Sequence, residues 1–194
     1  MNTKPAKPKT CKVCKTKFTP RLLMAVVCSP LCALEHSRAQ TAKKAAKAVA
    51  DERKATRNKL EAMRTKPQLL KVAQTAFNAF IRARDAGKSC ICCDKPLGTE
   101  PNSFDAGHYR SVGSAPHMRF VEGNAHGQLK YCNQYLAGNV VAYRKGLIAR
   151  IGLDAVEKIE ADQTLRKYTK EELQGIAKHY SAEARKIKLG VSLA

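Results

Sequence analysis

The spacing of the cysteines constrains this chain more than any other feature. In the first 34 residues, Cys11, Cys14, Cys28 and Cys32 form the pattern C-x2-C-x13-C-x3-C. Two pairs of thiolates separated by a loop of this length can close a tetrahedral zinc site, and a segment this short cannot bury enough apolar surface to fold without the metal. We therefore predict that residues 11–34 form a zinc finger of ribbon or treble-clef type, with a hairpin and a helix that starts near Cys28–Cys32.

The chain is strongly basic, and its first third is the most basic part. It carries 36 Lys and Arg against 16 Asp and Glu, a net charge of +20, and residues 1–66 hold 17 of the basic and 4 of the acidic residues. Such a field attracts polyanions, and nucleic acid is the usual one. The sequence shows neither a secretory leader nor an apolar run long enough for a membrane span. In a protein that is not exported, cysteines usually serve as metal ligands or remain free thiols. We therefore expect a cytoplasmic protein with structural zinc and no membrane partner.

Composition divides the chain into five parts. They are a basic arm (1–10), the zinc finger (11–34), a basic helical linker (35–66), a cysteine-rich module with a leading helix (67–152) and C-terminal helices (153–194). The linker is rich in Ala, Lys and Arg, which favour helix, and it can follow a DNA backbone or serve as a solvated spacer.

Apolar residues recur at helical spacing beyond the linker. The pattern predicts an amphipathic helix from Pro67 to about Gly87, whose Phe and Leu stripe faces the core, and later helices over 139–151, 154–162 and 170–188. Thr169 and Glu172 form a capping box for the last of them. We predict an α+β, helix-rich fold with short strands only around the metal sites.

The segment 90–139 holds a second group of thiols and a histidine. Cys90 and Cys93 form a knuckle, Cys132 is a third thiol far along the chain, and "SFDAGHYR" has the aromatic and β-compatible residues of a strand that ends at His108. A zinc knuckle would pin this hairpin against a helix that begins near Cys132.

Such an arrangement places His108 opposite Asn133, with Asn124 close by. An imidazole opposite oxygen ligands suits the hydrolysis of a phosphodiester, with His108 accepting a proton from water. Asp105 and Asn133 would hold a hard divalent ion, Mg²⁺ or Mn²⁺. Asn124 would orient His108 by hydrogen bonding. The alternative for Asp105 is a turn former that bonds its own backbone.

Cations and aromatic side chains surround this segment. Arginine binds phosphate through two hydrogen bonds, and aromatic rings stack on unpaired bases. The residues that we predict to contact DNA on these grounds are Tyr109, Arg110, Arg119, Tyr143 and Arg144.

At "DAGHYRS", "APHMRF", "HGQLKYCNQYLAGN" and "YRKGLIARIG" the sequence resembles the NinG/Rap recombination proteins of lambdoid phages and, more broadly, HNH (ββα-metal) endonucleases with cysteine-rich supports. The resemblance covers most of the chain and is most specific over 104–152. It implies a structure-specific endonuclease for branched DNA such as Holliday junctions and D-loops. It also implies His108 as general base, with Asn124 and Asn133 in the second and third HNH positions.

The chain departs from that pattern at one position. The HNH pattern has a second C-x2-C knuckle, but this chain has Leu129 there and only Cys132. Either Cys92 or His126 supplies the fourth ligand of the central zinc site, or the site has three ligands. His126 is preferred, because Cys92 is adjacent to Cys93 and both would have to bind one ion.

Two other functional classes fit part of the sequence. A zinc-dependent DNA-binding accessory protein without catalysis explains the charge and the finger, as does an RNA-binding finger protein associated with the ribosome, but the latter leaves the surroundings of His108 unexplained. Symmetric cutting of a four-way junction would suit a homodimer, a partner that the sequence itself does not show.

Overall fold

The computed structural model describes residues 7–22 and 24–190, and the chain forms two compact units, of which the first ends at Met63 and the second begins at Arg64. In the first unit, strand β1 (Lys9–Thr10) pairs antiparallel with β2 (Lys17–Phe18) and is followed by helix α1 (Pro30–Ala62). The predicted hairpin and helix of the finger are thereby confirmed. Residues 1–6 of the predicted basic arm lie outside the described residues.

Helix α1 begins before the predicted linker, at Pro30 instead of residue 35, because it has a strong start signal within the finger. Ser29 precedes it as N-cap and accepts a hydrogen bond from the backbone N–H of Cys32, and Pro30 occupies the first turn. All 33 of its residues belong to the described part of the chain, and none of them is buried. A helix that buries no face draws its stability from Ala, Lys and Arg propensity and from its cap.

The core of the second unit lies between α2 (Lys66–Asp85) and α5 (Lys170–Lys188). Phe77 of α2 is fully buried and meets the ring of Tyr180 of α5 edge-on, with centroids 4.9 Å apart. Both N-termini carry a capping box, and at α5 it consists of Thr169 and Glu172 as predicted. The amphipathic stripe on α2 is therefore core, as the sequence indicates.

A hairpin and a short helix pack on this helix pair. Strand β3 (Phe104–His108) pairs antiparallel with β4 (Ala125–Leu129), in a register that sets Asp105 opposite Gln128 and His108 opposite Ala125. One turn of π-helix, Tyr131–Tyr135, follows β4 directly. A loop with two 3₁₀ turns, Pro116–Met118 and Glu122–Asn124, joins the strands.

Two further helices cover the outer face of the hairpin. These are α3 (Val140–Ile151) and α4 (Leu153–Ala161), and Tyr143 and Leu147 of α3 form a buried cluster with Ile91 and with Val156 of α4. The bounds agree with the predicted helices to within one residue. The fold is α+β and helix-rich, with two small antiparallel sheets. Among residues 7–22 and 24–190, no helix has the length and apolarity that crossing a bilayer requires.

Candidate metal and nucleic-acid site

The four thiols of the finger lie together. Their sulfur atoms are all within 4.8 Å of one another, with 3.4 Å between Cys14 and Cys28 and 3.7 Å between Cys28 and Cys32. Zn–S bonds of about 2.3 Å at tetrahedral angles put sulfur atoms about 3.8 Å apart. Cys11, Cys14, Cys28 and Cys32 can therefore bind one zinc ion.

A second cluster of thiols forms in the other unit, but its membership differs from the predicted one. The sulfur atoms of Cys90, Cys92 and Cys132 lie within 4.8 Å of one another. Cys93 packs against the same cluster. Cys92, the less favoured alternative in the sequence, is thus the residue that joins the cluster, and His126 does not.

His126 faces different surroundings because of its place along β4. Gln128, two residues further along the same face of the strand, reaches the thiol of Cys92. Two residues of a strand span roughly 7 Å, and His126 is displaced from the thiols by about that distance. His126 instead packs against Tyr143 and borders a cleft with Arg84, Asp85 and Arg150. Burial, together with the positive charge of Arg84, lowers its pKa to about 4. Its assignment as a zinc ligand is a prediction that the structure contradicts.

Asp105 and Asn133 come together as predicted. The side-chain amide of Asn133, in the π-helix, donates to Oδ2 of Asp105 in β3 at 2.9 Å. Gln134 donates to the same oxygen at 2.8 Å. Gln134 was not among the predicted site residues, and the only signal for it in the sequence is its position next to Asn133. The cluster is partly exposed, so a carboxylate and two amides are presented where solvent and a phosphate can reach them.

His108 ends β3 on the other side of the sheet. Its Nε2 lies 3.0 Å from the carbonyl oxygen of Arg119, and its ring packs beside Phe77 with centroids 5.8 Å apart. Burial is the main cause that lowers the pKa of His108 below its ordinary value, and the charge of Arg119 acts in the same direction. The imidazole is therefore neutral at pH 7.

The two predicted catalytic side chains leave β3 on opposite faces. Asp105 points toward the π-helix, whereas Ala106 and His108 point toward the core on α2. The reason is the period of two in a strand, which sends residues three apart to opposite faces. The structure therefore joins Asp105 to Asn133 and leaves His108 apart from them.

Asn124 fixes the backbone after His108 rather than the imidazole. Its side-chain oxygen accepts from the N–H of Arg110, and its amide donates to the carbonyl oxygens of Arg110 and Met118. The backbone carbonyl of Asn124 accepts from the N–H of Tyr109. Asn124 is fully buried, and with every polar atom engaged it determines where β3 ends. Asn124 makes these hydrogen bonds instead of the predicted one to His108.

The two arginines predicted to contact DNA are engaged inside the protein. Arg110 donates to the backbone carbonyls of Ile159 and Asp162. Arg119 donates to the side chain of Gln74 and to the carbonyl of Val112. Their guanidinium groups hold the strand end and the loop against neighbouring elements, and a contact of this pair with DNA stays a prediction.

The other three residues predicted to contact DNA also have partners within the protein. Tyr143 is 1% exposed and donates to the carbonyl of Gly107 at 2.9 Å, so its ring has no face for a base. Tyr109 and Arg144 both bond Glu160 of α4. These bonds, that of Arg144 first, lower the pKa of Glu160 to about 2. Packing by α3 and α4 over the end of β3 explains these contacts; it buries Tyr143, whereas contacts of Tyr109 and Arg144 with DNA stay predictions.

Two exposed aromatic residues that were not among the predicted DNA contacts lie next to each other on the π-helix. Tyr131 and Tyr135, at the two ends of the π-helix, are 63% and 77% exposed, and their rings stack with centroids 5.9 Å apart at 22°. Their spacing of four residues beside Cys132 was the available signal. They offer aromatic faces to solvent on the same helical turn that carries Asn133.

Comparison with known proteins adds a family to this geometry. Residues 2–189 match the family profile described as "Bacteriophage Lambda NinG protein". The chain is 37% identical to "Protein ninG" of Escherichia phage lambda over 202 residues, which cover 97% of each chain. It is 37% identical to the protein of that name in Escherichia phage 933W, over 95% of this chain and 96% of the relative.

A further relative matches over a shorter part of both chains. "Protein ninG" of Salmonella phage P22 is 41% identical over 127 residues, 66% of this chain and 61% of the relative. No solved structure matches this chain.

Proposed function

The chain belongs to the NinG family of lambdoid-phage proteins, and on this premise we propose that it is a metal-dependent endonuclease that hydrolyses phosphodiesters in branched DNA, such as Holliday junctions and D-loops. One observation carries the proposal: an antiparallel hairpin runs directly into a short helix, and Asp105 of its first strand meets Asn133 of that helix. This succession is similar to the ββα-metal unit of the HNH nucleases that the sequence resembles.

The oxygen atoms of this pair suit a hard cation. Both amide donors take Oδ2 of Asp105, so Oδ1 of Asp105 and the amide oxygen of Asn133 are the atoms that can face Mg²⁺ or Mn²⁺. When bound, such an ion supplies charge stabilisation at the phosphate and the leaving oxygen. The side-chain amide of Gln134, which also donates to Oδ2, holds the carboxylate of Asp105 in place.

His108 has the protonation state that a general base requires. The carbonyl oxygen of Arg119 can only accept, so Nε2 carries the hydrogen of that bond and the neutral ring has its lone pair on Nδ1. The lowered pKa keeps the ring in this form at pH 7. We assign Nδ1 as the atom that takes the proton from the attacking water.

Affinity for DNA would come from charge and from stacking. The net charge of +20 favours binding to phosphate with strong salt dependence. The exposed rings of Tyr131 and Tyr135 can stack on unpaired bases, which the displaced strand of a D-loop provides and a linear duplex does not.

A second candidate function is a DNA-binding recombination accessory protein without catalysis. The opposite orientation of Asp105 and His108 on β3 favours it, because a single phosphate would have to be reached from both faces of the strand. In this case Asp105 and Asn133 serve only to fix the π-helix on the hairpin.

Cleavage and binding of labelled four-way junctions and matched linear duplex separate the two functions. Wild type, His108→Ala, Asp105→Asn and the control His179→Ala, which removes an exposed histidine of α5, would be assayed with Mg²⁺, Mn²⁺ or EDTA at two salt concentrations. Loss of a general base lowers turnover by about 10²–10⁴-fold. We expect a loss of turnover of this size in His108→Ala and in Asp105→Asn, with unchanged affinity for the junction. The control His179→Ala should cleave as well as wild type.

One result would remove the endonuclease proposal, and another would remove the assignment of its catalytic residues. One is binding of the junction by wild type without cleavage under any ion, which would leave the accessory protein. The other is cleavage that survives both His108→Ala and Asp105→Asn, which would place the chemistry elsewhere in the molecule.

A further inference from the structure

The knuckle of the central thiol cluster repeats the knuckle of the finger. In residues 11–16 the N–H of the first residue bonds the carbonyl of the sixth at 2.9 Å, and the N–H of the fifth bonds the carbonyl of the first at 3.1 Å. In residues 90–95 the same two bonds measure 2.8 and 3.1 Å. The fifth residue is left-handed in both, with φ of 63° at Lys15 and 57° at Asp94. The chain thus builds one metal-binding turn twice.

The second turn has more thiols around it than its C-x2-C alone provides. The sulfur atoms of Cys90 and Cys92 lie 3.6 Å apart, and Cys132 completes a group within 4.8 Å. Cys93, the residue equivalent to Cys14 of the finger, packs against the cluster that contains Cys90 and Cys132. The separation of Cys90 and Cys92 fits the roughly 3.8 Å between sulfurs of a tetrahedral zinc site, whereas the sulfur of Cys93 lies outside the group within 4.8 Å and would have to move closer to complete it.

Two N–H groups point at these sulfurs. The backbone N–H of Leu129 donates to Sγ of Cys90 at 3.3 Å, and the side-chain amide of Gln128 donates to Sγ of Cys92 at 3.4 Å. A neutral thiol has little need of such donors, whereas a thiolate ligand is oriented and stabilised by them. Gln128 is fully buried, so its donation to Cys92 is part of a fixed arrangement.

We propose that Cys90, Cys92, Cys93 and Cys132 bind one zinc ion, and that Cys92 provides the thiolate that a second C-x2-C would have placed at Leu129. Leu129 packs against the cluster, so its side chain fills the space beside the site without serving as a ligand. His126 lies outside the site.

This zinc ion would set the geometry of the Asp105 cluster. It would join the knuckle at Cys90–Cys93 to Cys132 in the π-helix, and Asn133 is the next residue of that helix. Loss of the ion would therefore release the turn that brings Asn133 to Asp105, because a metal bridge between distant segments contributes directly to folding.

Zinc content of the purified full chain tests the ligand set. Wild type, loaded with zinc under reducing conditions, is expected to hold two ions per chain. Cys92→Ser and Cys93→Ser should each hold one, Cys14→Ser should hold one through loss of the finger site, and His126→Gln should hold two. Leu129→Cys added to Cys92→Ser should restore the second ion.

Cobalt absorption gives a reading that does not depend on the variants folding. Both equivalents of Co²⁺ bound by wild type should show the ligand-field bands and sulfur charge transfer of four-thiolate coordination. The proposal is overturned if wild type binds a single ion, or if the second Co²⁺ shows a mixed nitrogen and sulfur spectrum. It is equally overturned if Cys92→Ser or Cys93→Ser keeps two zinc ions, or if His126→Gln loses one.

Discussion

Helix α3 contacts the central knuckle through a glycine, and this contact makes a sharp prediction. A Cβ atom built on Gly146 would lie 1.7 Å from the backbone carbonyl oxygen of Ile91. Gly175, in α5, is also a helical glycine, but a Cβ there would have nothing within 4 Å. The two positions share helix propensity and differ in the space beside them, so each serves as the control for the other.

The expected effects have opposite signs. Replacing glycine by alanine inside a helix adds about 1 kcal/mol of stability through propensity alone, and Gly175→Ala should gain up to that amount. At Gly146 the helix and the knuckle would have to separate by about 1.3 Å to reach even 3.0 Å. Overpacking of this kind costs about 3 kcal/mol where no rotamer can relieve it. The net loss in Gly146→Ala is therefore about 2 kcal/mol.

Tyrosine fluorescence can follow this unit alone. The chain has no tryptophan, and all six tyrosines lie beyond residue 100. Urea unfolding at pH 7 with zinc present should shift the midpoint down for Gly146→Ala and up for Gly175→Ala. A Gly146→Ala protein as stable as wild type would refute the contact between α3 and the knuckle, and with it the position of Tyr143 over the hairpin.

Two further predictions concern buried groups beside β4. Asp85 is 1% exposed and accepts hydrogen bonds from Arg84, Lys88 and the N–H of Gly127. Burial alone would raise the pKa of Asp85, but the interaction with Arg84 outweighs burial and holds this pKa well below its ordinary value. Asp85→Ala, which strands these donors, should cost about 3–5 kcal/mol in urea unfolding, and a loss below 1 kcal/mol would contradict the network. His126, with its pKa lowered to about 4, takes up a proton only when the chain unfolds, so stability should fall by about 2 kcal/mol from pH 7 to pH 5. His126→Gln should remove that part of the pH dependence, and an unchanged slope would show that the imidazole is not protected from protonation.

The helices could be predicted from the sequence because their signals are local. Thr169 and Glu172 lie within one turn of each other, and the apolar stripe of α2 is visible without knowledge of its partner. The finger was predictable for the same reason, since its four thiols occur within 22 residues. In each case the interaction that decides the structure joins residues close in sequence.

The choice between Cys92 and His126 required long-range information. Cys92 is favoured by the amide of Gln128, which lies 36 residues away. His126 instead borders a cleft that Arg84 and Arg150 also line, in elements that precede and follow the hairpin. Adjacency of Cys92 to Cys93 was the only criterion that the sequence offered, and it pointed to the wrong residue.

The positions of the predicted residues around His108 differ from expectation for two different reasons, and only one of these could be foreseen from the sequence. Asp105 and His108 are three residues apart on a predicted strand, so the period of two already indicates opposite faces. The arginines are another matter. Arg110 is held by the carbonyl oxygens of Ile159 and Asp162, about 50 residues later. Every residue has such an oxygen whatever its side chain, so no sequence pattern marks which arginine will find one and which will remain available to a phosphate.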